Sequence, residues 1–172
     1  MLMREPTAMN PALHWTLLAA PPDARVERLR WAQQALTLVR AELGLVETIS
    51  DREGWLPAAA SLTFTLRREG EPAEPTRVRV HTVPIEEATA AREAADAAVR
   101  AIGGAGMDFL VARAQRVWAV EAKVAAGDPR APLAMAALLA GVLLAPVVPP
   151  EGGAIFGLKG ARARLEALGW AT

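Results

Sequence analysis

The residues that acid–base or nucleophilic chemistry would draw on are few and scattered. His14 and His81 are the only histidines, and Ser50 and Ser61 the only serines. Neither histidine sits at a spacing that brings a second ligand to the same metal ion, and neither serine lies in a GxSxG turn that would expose a nucleophile. Asp51 and Glu53 in "SDREGW" come nearest to an acid/base pair, since alternate positions of a strand share a face. The charges routinely found on edge strands account for them more simply. Cysteine and tyrosine are absent, which removes disulfides, thiolate nucleophiles and thiolate zinc sites together. The sequence thus advertises no catalytic residue, no metal site and no cofactor.

Two glycine-rich stretches raise the question of phosphate binding. "GGAG" at Gly103–Gly106 follows a helical pattern instead of opening one, which fits helix termination and not a dinucleotide loop. "GGAIFGLKG", Gly152–Gly160, places Lys159 before a helix, where backbone amides can meet an anion. It lacks the GxxxxGK[ST] spacing and the hydroxyl that holds magnesium in that motif.

A basic platform is the stronger candidate. In "SLTFTLR" Leu62, Phe64 and Leu66 alternate with Thr63, Thr65 and Arg67, and in "TRVRVH" Val78 and Val80 alternate with Arg77, Arg79 and His81. Such alternation predicts an antiparallel hairpin with one covered and one wet face. Arg67, Arg77, Arg79 and His81 then stand together on the wet face, able to meet an acidic partner, with Glu69, Glu71 and Glu74 as the neutralising alternative. Trp55, near a loop, and Trp170, near the carboxy terminus, join them as expected binding residues, because tryptophan is enriched where interfaces bind most tightly. Capping of the core at its ends is the other role open to both rings.

These residues need elements to hold them. "HWTLLAA" reads as a first strand, and Asp23 caps a helix running to Leu43, with Val26, Leu29, Ala32, Leu36, Val39 and Leu43 inward and Gly44 as its stop. "LVETISDRE" is a weak second strand, followed by the hairpin. A second helix covers about Pro84 to Ile102, and "MDFLVARAQRVWAVEAKV" is a short helix to about Ala114 and then a strand. "APLAMAALLAGVLLAPVVPP", Ala131–Pro150, carries no charge over 20 residues. Pro146 limits its helix to Pro132–Ala145, which at ~1.5 Å per residue reaches only about 21 Å and does not span a bilayer. Apolar on every side, it fits a central helix enclosed by protein, or one left for a partner to cover. "GLKGARARLEALGW" is a final short helix.

The expected fold class is α+β: an antiparallel sheet, built from a three-strand meander plus additional strands, with helices packed mainly on one face. Residues 1–12 read as a flexible tail and 13–172 as a single domain. The 19 basic and 19 acidic residues cancel, leaving no long-range field for nucleic acid or an anionic membrane. Arg4 and Glu5 stand where a signal peptide needs an apolar core, so a cytoplasmic location is expected. The helix–meander–helix order is similar to that of several small chaperone and immunity folds. Together these features favour a non-enzymatic protein-interaction module, immunity-, adaptor- or chaperone-like, that binds a protein partner, itself or another. An enzyme or small-molecule binder with a pocket between sheet and helices is the alternative.

Overall fold

The computed structural model describes residues 9–49 and 53–172. Ser50, Asp51 and most of the expected tail lie outside the described residues. In chain order the elements are β1 (His14–Ala19), α1 (Arg28–Val39), β2 (Ala41–Leu45), β3 (Ala60–Arg68), β4 (Thr76–Pro84), α2 (Thr89–Ala101), α3 (Met107–Ala112), β5 (Arg116–Glu121), α4 (Ala131–Leu143), β6 (Val147–Val148) and α5 (Leu158–Ala167). The six strands form one sheet in the order β2-β3-β4-β5-β1-β6, each neighbouring pair antiparallel. The fold is α+β.

The hairpin alternation holds residue by residue. Leu62, Phe64, Leu66, Val78 and Val80 are buried in the larger core, while Arg77 and Arg79 are exposed. Opposite Phe64, Trp31 of α1 stacks at 6.0 Å between ring centroids, and Trp118 of β5 lies 5.9 Å from the same indole. These two ring contacts contribute more than their area alone, and they fix how α1 lies on the sheet.

That anchoring overturns part of the expected inward set, of which Val26 and Val39 are buried. Trp31, Ala35 and Val39 are its buried residues, whereas Leu29 is 89% exposed and Leu36 is exposed as well. The helix also ends earlier than the apolar spacing suggests. Arg40 adopts a left-handed conformation, φ 48° and ψ 46°, and its N–H bonds to the Ala35 carbonyl. The chain then turns straight into β2, where Ala41, Leu43 and Leu45 alternate toward the core. Leu43, expected as the last helical residue, is a strand residue, because a short apolar run fits both periods and pairing with β3 decides between them. Of the segment after Leu45, expected as a strand, the described residues 46–49 and 53 belong to none.

The uncharged stretch is a central helix. Every residue from Ala131 to Ala140 is buried, and α4 packs between α1 and α5 over β1. Gly141 permits this closeness: a Cβ there would collide with the Leu38 side chain of α1 and touch Leu158 of α5. No helix among the described residues is long and apolar enough to cross a membrane.

Successive strand residues divide between two cores. Leu17, Trp118 and Val120 join α1, α4 and α5 on one face, and Leu18, Val117, Ala119 and Val148 join α2 and α3 on the other. This second core draws on β1, β5, β6 and the end of β4, through Val83, but on no residue of β2 or β3. Among the described residues no helix covers the half of this face formed by β2, β3 and most of β4.

Candidate functional site

The bare half-face is the wet side of β2, β3 and β4. Side chains two residues apart point the same way, so Glu42 on β2, Ser61 and Arg67 on β3, and Arg77, Arg79 and His81 on β4 share it. Register sets their neighbours: Glu42 lies opposite Arg67, Ser61 opposite His81, and Thr65 opposite Arg77. The sheet therefore assembles Arg67, Arg77, Arg79 and His81 on one surface, as the alternation requires.

Their neutralising partners differ from those expected. Arg67 pairs with Glu42, with its Nε 2.6 Å from Oε2. Arg79 pairs with Glu121 of β5 at 3.3 Å, and Glu71 pairs instead with Arg68. Arg77 is exposed and has no ion pair among the described residues. Glu42 and Glu121 come from separate parts of the chain, and only the strand order places them here.

Next to this platform runs a hydrogen-bonded polar row. Ser61 Oγ lies 2.6 Å from Nδ1 of His81, and Nε2 of His81 lies 2.7 Å from Oε2 of Glu121. An ionised carboxylate only accepts, so Nε2 carries the proton of a neutral His81 and Nδ1 presents its lone pair to the serine hydroxyl. His14 of β1 meets the His81 ring edge-on at 5.7 Å. Its own Nδ1 donates to the Asn10 carbonyl at 2.8 Å, which holds the His14 ring still. Ser61 is exposed, His81 and Glu121 half-buried, and His14 buried. Sequence reasoning missed Ser61 and Glu121 because no motif spacing joins residues on three strands. The one available signal was that Ser61 opens a strand of the same hairpin as His81.

The tryptophans part ways. Trp55 is 41% exposed, its ring covered on one side by the Arg25 guanidinium at 5.4 Å, and its Nε1 donates to Glu53 at 3.1 Å. Trp170, expected at the surface, is 1% exposed. Its large ring closes the end of the core, where burial outweighs display. Gly103, Gly104 and Gly106 all take positive φ between α2 and α3, consistent with ending a helix. Lys159 lies in the first turn of α5.

One cleft between sheet and helix adds a second feature. It encloses about 350 Å³ between the start of α1 and the β2 edge, lined by Val26, Leu29, Trp31, Leu45 and Phe64, with Arg28 as its charged member. Among the described residues no group of three His, Asp or Glu gathers where a metal ion could be held.

No family model, curated protein or solved structure matches the chain. The functional reading rests on the geometry alone.

Proposed function

We infer that the protein is an interaction module that binds a partner protein through the open face of β3 and β4. One observation carries this reading: among the described residues α2 and α3 cover β1, β5 and β6 but stop short of β2 and β3, leaving a polar surface there. Arg67 and Arg79 are paired with Glu42 and Glu121 there, and Arg77 has no ion pair among the described residues, so its exposed guanidinium favours an acidic partner. Charge complementarity of this kind raises association rates and sets orientation more than it sets final affinity.

The test is capture from the native host with Arg77→Glu and Arg79→Glu proteins beside the wild type, and Glu93→Lys on α2 as a remote control. A partner held by the wild type and the control, and lost with the platform variants, is the expected result. A partner retained by both platform variants, or none recovered at all, overturns the reading.

The cleft beside α1 favours a second reading, a small apolar ligand held between Trp31 and Leu45. Apolar walls with one polar group are the usual make-up of such sites. A ligand seated there would quench Trp31 fluorescence in the wild type and not in Leu45→Arg.

A further inference from the structure

We propose that Ser61 is a nucleophile that accepts acyl groups from activated esters, with His81 as its general base. The row shares His81 with the platform, and Glu121 also pairs with Arg79, but the chemistry requires no bound protein. Three observations carry it. Ser61 Oγ is 2.6 Å from His81 Nδ1, within the distance over which a proton transfers directly. Glu121 at 2.7 Å from Nε2 dictates the tautomer in which Nδ1 is the basic nitrogen. The Asn10-anchored His14 ring, edge-on to His81, braces the imidazole from the side. A nucleophile, a base and an acidic residue that orients the base are recognised by geometry and role, whatever their chain order. Here the serine takes Nδ1 and the carboxylate Nε2, and the roles of the two ring nitrogens follow from their partners.

The step balances without a co-reactant. The Oγ lone pair forms the bond to the acyl carbon while the Oγ proton passes to Nδ1. The imidazolium is stabilised by Glu121 through Nε2–H. The acyl carbon–oxygen bond then breaks, its electron pair leaves with the alkoxide or phenoxide, and the proton on Nδ1 goes to that oxygen or to water. The products are an ester on Ser61 and an alcohol, and attack of water along the same path regenerates the serine and releases the carboxylic acid.

The setting also fixes the substrate class. Ser61 lies within β3, opposite His81 of β4, and not at a strand-to-helix turn, where backbone N–H groups gather into an oxyanion pocket. The nearby cation on this face is Arg79, two residues from His81 and held by Glu121. Esters with a good leaving group need least help from an oxyanion site, and an exposed hydroxyl on a flat surface admits an acyl group carried on a larger molecule.

The experiment uses the full chain and p-nitrophenyl acetate, following nitrophenolate release and locating the acetyl group by peptide mass mapping. The wild type should carry acetyl on Ser61, and Ser61→Ala should lose both the label and the fast release. His81→Gln, with circular dichroism confirming its fold, should slow the reaction by about 100-fold, the lower end of general-base effects. Glu121 is a positioning residue. Glu121→Gln should slow acylation and shift the proton of His81 from Nε2 toward Nδ1 in imidazole nitrogen NMR spectra, a change that loss of packing alone does not produce. Acetyl found on lysines or the amino terminus and not on Ser61, or equal rates for wild type and Ser61→Ala, overturns the proposal. So does a folded His81→Gln protein that reacts at the wild-type rate.

Discussion

Nε1 of Trp170 donates a 2.7 Å hydrogen bond to the carbonyl of Val39, the last residue of α1. Carbonyls in the final turn of a helix have no partner within the helix, so the carboxy-terminal indole caps an element 131 positions earlier in the chain. Arg130, lying 5.3 Å over the same ring, and the Arg68 bond to the Gly169 carbonyl hold the terminus in place. Trp170→Phe keeps most of the bulk and leaves the Val39 carbonyl unpaired, for an expected loss of about 1–3 kcal/mol. Trp170→Ala adds a cavity and should cost about 3–5 kcal/mol. Urea unfolding of both variants measures the difference.

Arg116 is expected to be the most sensitive charged residue. It is buried, and its guanidinium donates to the carbonyls of Pro22 and Ala58 and to Thr82 Oγ1. Burial lowers its pKa from the ordinary arginine value, with Asp23, Glu87 and Glu86 opposing that shift. Arg116→Met fills the space but strands two carbonyls, at about 1–3 kcal/mol each. Limited proteolysis should then cut first between residues 53 and 59, the segment that the Ala58 bond ties down.

Asp128 makes stability depend on acid. Side-chain hydrogen bonds from Arg130, at 2.7–3.2 Å, are the main cause holding its carboxyl below the ordinary range, against a smaller opposing effect of burial. A carboxylate whose pKa is depressed on folding stabilises the protein above its unfolded pKa, and that stability is lost as pH falls through the folded value. Thermal melts of the wild type should therefore fall from about pH 4 downward. Asp128→Asn should start lower at neutral pH and show a shallower fall. Parallel melting curves for the two proteins would refute this.

Two helical glycines should respond differently to alanine. At Gly160 a Cβ would stand 2.6 Å from the Cβ of Phe156, an atom close to the backbone that cannot move away cheaply. Gly160→Ala is expected to destabilise by about 1–3 kcal/mol despite better helix propensity. At Gly141 the obstacle is the far end of the Leu38 side chain, which can change rotamer, so Gly141→Ala should come within about 1 kcal/mol of wild type. Chemical denaturation of the pair compares them directly.

Leu139→Asp tests the central helix. Leu139 has no exposed surface, and an unpaired buried carboxylate costs several kcal/mol, a large part of a typical ~5–15 kcal/mol stability. The variant is expected to be unfolded at room temperature by circular dichroism.

Local patterning alone determined the α+β class, the hairpin with its wet and covered faces, the apolar helix and its failure to span a bilayer; that this helix is central was decided by packing against α1 and α5. Each follows from interactions within one stretch of chain: alternation in β3 and β4, the lack of charge from Ala131 to Pro150, and Pro146 after α4. The face of α1 did not follow, because Leu29 and Leu36 have the right spacing, yet Trp31 gains more by meeting Phe64 and Trp118. The end of α1 did not follow either, since Leu43 suits a helix or a strand until β3 is beside it. The polar row lay furthest from view. Ser61, His81, Glu121 and His14 come from β3, β4, β5 and β1, and beyond the hairpin that joins Ser61 to His81 their proximity is a property of strand order and register, which long-range pairing sets and no local sequence signal encodes.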